Sequence, residues 1–590
     1  MTITRPAWLQ VPGVAVVKAY QAAWLPKDIV AGLVLTAVLV PVGMGYAEAA
    51  GLPAITGLYA TIVPLLVYAV LGPSRILVLG PDSSLAAIIA ATVVPLAAGD
   101  PTRAVALAGG LALISGALGI AFGVLHLGLL TDLLSKPIRI GYLNGIALTV
   151  VVGQLPKLFG FSTDADGVVP ETAAFLSNVA GGATNTVALG LGVVAVAIMV
   201  VARLRGQAAV GIVVATLATT VVAAVAGLAA TAGVDVVGPL PQGLPRLALP
   251  ALGFRDFAAM LAGGFAIAVV SLADTSVLSR TFAARSGQRI DQNQELVALG
   301  AANVGAAFTS GFPISASTSR TPVAEAAGGK TQITGVVGAL AIIALLVIAP
   351  GLTTNLPQPT LAAIVIVAAT SLVDIDGLVR LVRLRPTEAF LSLVCFAGVA
   401  LVGVVPGIFA SVGIALAAFF WRAWRPHSAI LGRVEGMKGY HDVSRYPDAQ
   451  RVEGLVLFRW DAPLFFANAE AFREGVEAAV EGAPTSTRWV VVAAEPITDI
   501  DMTAADILNE LLSDLERSGI ELRFAELKDP VKDWLRRYGF LQRLGEDAFY
   551  PTVGTAVEAY VAASGIDWVD WEERGEPGSE GGSRGTSSST

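Results

Sequence analysis

Ser310–Pro322 reads SGFPISASTSRTP. Long apolar runs flank it, yet it is crowded with hydroxyl side chains, broken by Pro313 and Pro322, and charged at Arg320. A span in hydrocarbon has to satisfy its own backbone, so an interrupted segment is tolerated only where protein or a watery cavity supplies the missing partners. The segment therefore marks an interior site.

Its surroundings are membrane-like. The chain has 590 residues, 55% apolar and 14% charged, against about 25% charged in a typical soluble protein. The mean hydropathy is +0.71. The net charge of −8 comes from acidic residues clustered in the C-terminal third, and nothing in it points to nucleic acid. A single cysteine, Cys395, leaves no disulfide framework and no cysteine metal site. His126, His427 and His441 form no metal or catalytic cluster, and no paired catalytic aspartates or Ser–His arrangement occurs. Neither an enzyme nor a bound cofactor is expected. The opening residues lack a signal-peptide pattern, so the first span is expected to direct insertion.

A hydrocarbon core of roughly 30 Å takes about 20 apolar residues as a helix. Runs from Ile29, Ala104 and Val187 qualify, with others near Ala208, Phe257, Ile333, Pro359, Ala389 and Pro406. With shorter, Gly/Pro-interrupted runs the expectation is about fourteen spans. Basic residues recur in alternate loops: Arg75, then Lys136 with Arg139, Arg203 with Arg205, Arg280, Lys330, Arg380 with Arg383, and Arg422 with Arg425. Cytoplasmic loops are enriched in Lys and Arg, so an even number of spans with both termini in the cytoplasm is expected.

A second broken segment, ILVLGPDSSLAAIIAA from Ile76, resembles the first. Each has a proline (Pro81, Pro313), then small or hydroxyl residues, then a short apolar run. They fall at similar offsets from Asp28 and Asp256, where the two halves begin. Seven spans per half is odd, so the second half has to be inverted. Paired breaks of this kind point to an inverted-repeat transporter. Two opposed half-helix N-termini would present free N–H groups and positive dipole ends to an anion. Arg320, about two turns into the second half-helix, would add a full charge. Packing offers the plainer alternative, with Arg320 a partner of Glu325 or Asp274.

Asp274 sits mid-span in FAIAVVSLADTSVLSRTF, from Phe265. An acid there costs about 2.5–3.5 kcal/mol on insertion scales and usually faces a cavity. It can bind a coupling cation, carry a proton, or neutralise Arg320, with Thr275, Ser276 and Ser279 as further oxygens. Asp82, after Pro81, reads as the N-cap of the first half-helix.

These stretches, with FPISASTSRTPVAEAAGGKTQITG from Phe312, PVGMGYAEAAGLPAITGLYAT from Pro41, LGPDSSLAAI from Leu79, SKPIRIGYLNGIAL from Ser135 and LAAIVIVAATSLVDI from Leu361, resemble the sulfate permease (SulP) family of anion transporters. The resemblance implies an α-helical membrane protein of about fourteen transmembrane helices in a seven-plus-seven inverted repeat. Core and gate domains move against each other, and the protein is a homodimer. It implies secondary active transport of a small inorganic or organic anion, sulfate-like foremost, coupled to H+ or Na+. The alternatives are sodium-dependent bicarbonate symport, C4-dicarboxylate transport and an uncoupled anion channel. Ser319 and Arg320 match the family's anion-contacting pair and Tyr46 an aromatic that lines the site; Ser83 and Ser84 open the first half-helix beside it. Asp274, Ala316, Ser317 and Thr318 match the sodium site of the bicarbonate branch. Val42 stands where the family usually has glutamine, and Leu278 where that branch has threonine. A nucleobase symporter shares the seven-plus-seven fold but not the Ser319–Arg320 pair.

After Arg425 the composition changes. Strands are expected from Gly454, Arg488 and Ile520, and amphipathic helices from Asn468, Thr503 and Pro530. The order, and DIDMTAADIL after a strand, resemble a STAS domain, a cytoplasmic α/β module that can take a regulatory partner. STAS relatives often carry a phosphorylatable Asp-Ser at the helix start; here the stretch is Asp501, Met502, Thr503. Thr503 is expected as an N-cap first and a regulatory site second. The expected division is 1–27 as a cytoplasmic N-terminal segment and 28–426 as the transporter domain, with repeats at about 28–230 and 256–424. The STAS domain follows at 438–563, and 564–590 is a disordered, low-complexity tail.

Overall fold

The structure is a computed structural model that describes residues 12–570, apart from 14–15, 17–18, 128–134, 164, 166, 246, 248, 251–252, 287–289, 318 and 569, and apart from the side chains of 285 and 286. Thr318, most of the expected tail and much of the N-terminal segment lie outside the described residues. The chain divides into two compact units, one up to Ala415 and one from Leu416.

The first unit is helical because its apolar runs must bond their backbone internally in hydrocarbon. Its first half comprises α1 (Leu25–Ala49), α2 (Ala54–Leu71), a two-residue strand β1 (Leu79–Gly80), α3 (Ser83–Ala97), α4 (Pro101–Val124), α5 (Lys136–Leu158), α6 (Val168–Ala180), α7 (Thr186–Leu204) and α8 (Ala208–Val225). The second half comprises α9 (Phe254–Ser286), α10 (Gln292–Phe308), strand β2 (Ser315–Ala316), α11 (Arg320–Ala326), α12 (Ile333–Ile348), α13 (Gln358–Ala369), α14 (Ile375–Leu384), α15 (Pro386–Ala397) and α16 (Val404–Trp424). Every expected apolar run falls in a helix. Among the described residues, nine helices are long and apolar enough to cross a membrane, and three shorter apolar ones join them. The expected count of fourteen is not reached on that measure, because α3 and α11, which follow extended backbone, and uninterrupted but short helices such as α10 and α12 fall short of a full span.

Packing relies on small residues at helix crossings, as membrane helices do. At the α1–α2 crossing, a Cβ on Gly57 would stand 1.9 Å from the Gly43 carbonyl oxygen. Gly57→Val is therefore expected to force the two helices apart and destabilise the protein by roughly 1–3 kcal/mol or more. A lowered midpoint in a thermal size-exclusion assay of the detergent-solubilised protein checks this.

The two breaks meet. β1 and β2 pair antiparallel, Leu79 opposite Ala316 and Gly80 opposite Ser315. This pairing satisfies extended backbone at membrane depth that neither segment could satisfy alone.

The second unit holds a six-stranded sheet in the order β4-β3-β5-β6-β7-β8. The strands are β3 (Ser428–Arg433), β4 (Tyr440–Asp442), β5 (Leu455–Trp460), β6 (Trp489–Ala493), β7 (Glu521–Ala525) and β8 (Phe549–Tyr550). β5 to β8 run parallel, while β3 is antiparallel to both β4 and β5. The parallel strands are apolar on both sides because each face is covered. Phe472 of α17 (Ala469–Glu481) and Leu508, Leu511 and Leu512 of α18 (Met502–Arg517) pack in one core. Val557 and Tyr560 of α19 (Val553–Ser564) pack in the other. The expected strands and helices are all present. Thr503 is not the N-cap: Asp501 is, its side chain accepting from Ala504 N at 2.8 Å. The extended backbone of Asp501 places a carboxylate over the first turn, a stronger acceptor for that role. Thr503 lies one residue inside the helix, exposed.

Candidate functional site

The site grows from the β1–β2 pair. Side chains hold the unwound backbone where helix partners are missing. Asn303 of α10 clamps Ile314, accepting from its N–H at 2.8 Å and donating to its carbonyl at 3.2 Å. Thr275 of α9 accepts from Ala316 N at 3.3 Å. Val78 N donates to Thr321 Oγ1 at 3.1 Å, and Val78 O accepts from Ser317 N at 3.0 Å. An unmatched buried backbone group costs about 1–3 kcal/mol, so these residues maintain the break.

From this frame α3 and α11 depart. Asp82 caps α3, accepting from Ser84 N at 3.1 Å. Arg320 opens α11 as its first residue, not two turns in. The reason is local: β2 keeps the chain extended through Ala316, and Pro322 fits a first turn whose N–H has no helical partner. Ser317 Oγ accepts from Arg320 N at 3.2 Å and lies 3.2 Å from Ser319 Oγ.

Arg320 is fully buried. Its Nη2 donates to the Pro81 carbonyl and lies 4.0 Å from Asp82 Oδ2. Among the described residues, Nε and Nη1 have no hydrogen-bond partner. Gly80 makes room for this head group: a Cβ there would lie 3.0 Å from Nη1. The carboxylate paired with Arg320 is thus Asp82, where the sequence offered Glu325 and Asp274. Tyr46 of α1 is buried beside Ser83, within electrostatic reach of Asp82 and Arg320. Ser83 and Ser84, both buried, form the first turn of α3.

Asp274 joins through Ser84, whose Oγ lies 2.9 Å from Asp82 Oδ1 and 3.2 Å from Asp274 Oδ2. A run of polar groups, Asp274–Ser84–Asp82–Arg320, crosses from α9 to α11. Of the other oxygens expected around Asp274, Thr275 and Ala316 bond to each other, Ser317 is engaged with Arg320, and Ser279 donates to Ser276 O at 3.2 Å. Thr318 is outside the described residues. So Tyr46, Ser83, Ser84, Ser317, Ser319, Arg320 and Asp274 gather around the two breaks. Residue-by-residue reading missed the clamp Asn303, whose only signal was an amide in the apolar run GAANVGAAF, and the pairing of Asp82, for which capping had seemed sufficient.

Residues 25–395 match the family described as sulfate permease family, and residues 446–556 match the STAS domain. A Mycobacterium tuberculosis protein named "Probable sulfate transporter" is 39% identical over 559 residues, 95% of this chain and 99% of that protein. Among solved structures, the murine Solute Carrier 26 family member A9 anion transporter in the inward-facing state superposes with a TM-score of 0.87 at 21% identity, covering 95% of this chain and 96% of that one. The transmembrane domain of a cyanobacterium bicarbonate transporter superposes at 0.58 and 22% identity, covering 68% and 98%. At these identities the two structures speak for the fold alone. The break geometry, the helical membrane unit, the C-terminal sheet domain and these matches lead to one conclusion: this chain belongs to the sulfate permease family of multi-pass membrane anion transporters, with a C-terminal STAS domain.

Proposed function

We propose that this protein is a secondary active transporter of sulfate-like anions in the cytoplasmic membrane, working by alternating access as a homodimer with both termini in the cytoplasm. The observation that carries the reading is Arg320: fully buried, with Nε and Nη1 unpartnered among the described residues, beside the paired breaks. A buried guanidinium with free donors suits a tetrahedral oxyanion, which takes a forked pair of hydrogen bonds. Ser83, Ser84, Ser317, Ser319 and Tyr46 replace hydration around it. Asp274 holds the coupling cation, H+ or Na+, with Ala316, Ser317 and Thr318 as the other members of the proposed cation site. The name of the 39% identical relative supports sulfate as the substrate. Residues 1–27 form a cytoplasmic segment, 28–426 the transporter domain, 438–563 a cytoplasmic STAS domain open to a regulator, with Thr503 exposed for modification, and 564–590 a tail.

Uptake into proteoliposomes tests this, with radiolabelled sulfate, bicarbonate and dicarboxylates under imposed proton and sodium gradients. Saturable sulfate accumulation above electrochemical equilibrium, driven by one of the gradients, is expected. Accumulation of bicarbonate or a dicarboxylate without sulfate overturns the substrate. Flux that only runs downhill makes the protein a channel.

A further inference from the structure

Outside the anion site, a short basic helix borders an apolar cleft, and the transport reading gives neither a task. We propose that α14, with the cleft between α5 and α15, is a binding site for an anionic phospholipid. Arg380, Arg383 and Arg385 hold the head group, and one acyl chain lies in the cleft. The site is independent of which anion the protein carries.

α14 reads IDGLVRLVRL, and Arg385 follows it. Ile375, Val379 and Val382 recur at i, i+4 and i+7 on one face, and all three are exposed. Leu378 and Leu381, half-buried, turn toward the protein. Arg380 and Arg383 lie on a third face, and both are exposed, as is Arg385. Asp376, four residues before Arg380, offsets part of its charge, so the positive end is Arg383 and Arg385. An exposed apolar stripe beside an arginine stripe is the pattern of a helix lying in a membrane interface. Two contacts fix its depth. Arg203, at the end of α7, donates to Thr370 Oγ1 at 3.3 Å, and α7 is long and apolar enough to cross a membrane. Asp374 N donates to Asn144 Oδ1 of α5 at 3.0 Å, and Asp374 Oδ1 caps α14 by accepting from Gly377 N at 2.7 Å. α14 thus begins where a span ends, at the level of lipid head groups.

The cleft has a volume of about 350 Å³ and is mainly apolar. Leu148 and Val151 of α5 and Leu393 and Phe396 of α15 form its walls, and Val373 and Leu378 border it on the α14 side. Leu148 and Leu393 are exposed, so the cleft opens on the outer surface of the membrane unit. The two helices are already in backbone contact beside it: a Cβ on Gly141 would lie 2.2 Å from Ser392 O. Closing α5 on α15 therefore cannot fill the space. Ser392 also lines the cleft; it is buried, and its Oγ has no hydrogen-bond partner among the described residues. Such a hydroxyl costs stability until an acceptor reaches it. A phospholipid supplies an anion for the arginines, an ester oxygen for Ser392 and a hydrocarbon chain for the cleft, all in one molecule. Free phosphate would supply only the first. A basic loop alone follows from the topology bias; the cleft and its unpartnered hydroxyl do not.

The test uses the purified full-length protein in detergent micelles, with dioleoylphosphatidylglycerol as the anionic probe and dioleoylphosphatidylcholine as the zwitterionic control. Native mass spectrometry counts the bound lipid, and the melting midpoint is followed as lipid is added. The wild type is expected to retain phosphatidylglycerol over phosphatidylcholine and to be stabilised by it selectively. An arginine at an anionic lipid surface contributes about fivefold in affinity. The variant Arg380→Gln/Arg383→Gln/Arg385→Gln is therefore expected to bind phosphatidylglycerol on the order of a hundredfold more weakly and to lose the preference. The three side chains are exposed, so its midpoint in phosphatidylcholine should match the wild type. Leu393→Trp fills the cleft from an exposed position and keeps the arginines; it is expected to lose the retained lipid. Equal retention of the two lipids by the wild type, or an unchanged preference in the triple variant, overturns the proposal. Unchanged retention in Leu393→Trp overturns the cleft as the acyl-chain site. If inorganic phosphate or glycerol 3-phosphate stabilises the protein as phosphatidylglycerol does, the arginines serve a soluble anion and the lipid assignment fails.

Discussion

Arg320→Ala is expected to abolish anion binding and transport while the protein still reaches the membrane folded. Removing one partner from a buried, hydrogen-bonded charge pair costs about 2–5 kcal/mol, or roughly 30- to 4,000-fold in Kd. Here the loss is compounded, since Asp82 stays behind as an uncompensated carboxylate, 4.0 Å from where the guanidinium was, and repels the ligand. Arg320→Lys tests geometry against charge. It restores the positive charge but not the planar fork whose Nε and Nη1 have no partner among the described residues, so partial recovery of binding is expected. The measurements are sulfate binding, proteoliposome uptake and a thermal melt. Normal uptake by Arg320→Ala would remove the anion from this site and leave a regulatory reading, centred on the STAS domain, as the stronger one.

Asp274→Asn is expected to separate binding from drive. The introduced amide has nearly the shape of the carboxylate and still offers an oxygen to Ser84 Oγ, which lies 3.2 Å from Asp274 Oδ2. The anion groups therefore stay in place and sulfate still binds. What disappears is the ionisable group proposed to hold the coupling cation. In the wild type, a gradient of one pH unit supports about tenfold accumulation per proton. In the variant, uptake should follow the anion's own electrochemical gradient and ignore imposed proton and sodium gradients. Counterflow exchange of sulfate should persist. If Asp274→Asn accumulates sulfate as the wild type does, the coupling ion is held elsewhere.

Much of the fold was legible because a membrane imposes simple rules on sequence. Apolar runs such as those from Ile29 and Ala104 could only be helices, and α1 and α4 lie where those runs are. The two proline-broken segments stood out for the same reason. In the C-terminal unit, a short apolar run in GLVLFRWD and helical periodicity in TAADILNELL placed β5 and α18. Other elements were passed over: β3 is too short to carry a clear pattern and is placed by the two apolar cores its residues enter, while α19, whose Val553, Ala556, Val557 and Tyr560 recur at helical spacing, packs into one of them.

Composition and pattern alone determined that this is a membrane protein with paired broken helices, a buried arginine and aspartate, and an α/β tail domain. They also marked Arg320 and Asp274, because a charge in hydrocarbon announces itself in one dimension. Only the tertiary structure decided what those charges face. Ser84 and Asp274 are 190 residues apart, and Arg320 bonds to Pro81 across 239. No local rule links such positions, since a hydrogen bond or ion pair depends on ångström distances that exist only once β1 lies on β2. That pairing made Asp82, which the sequence explained as a cap, the counter-ion of Arg320.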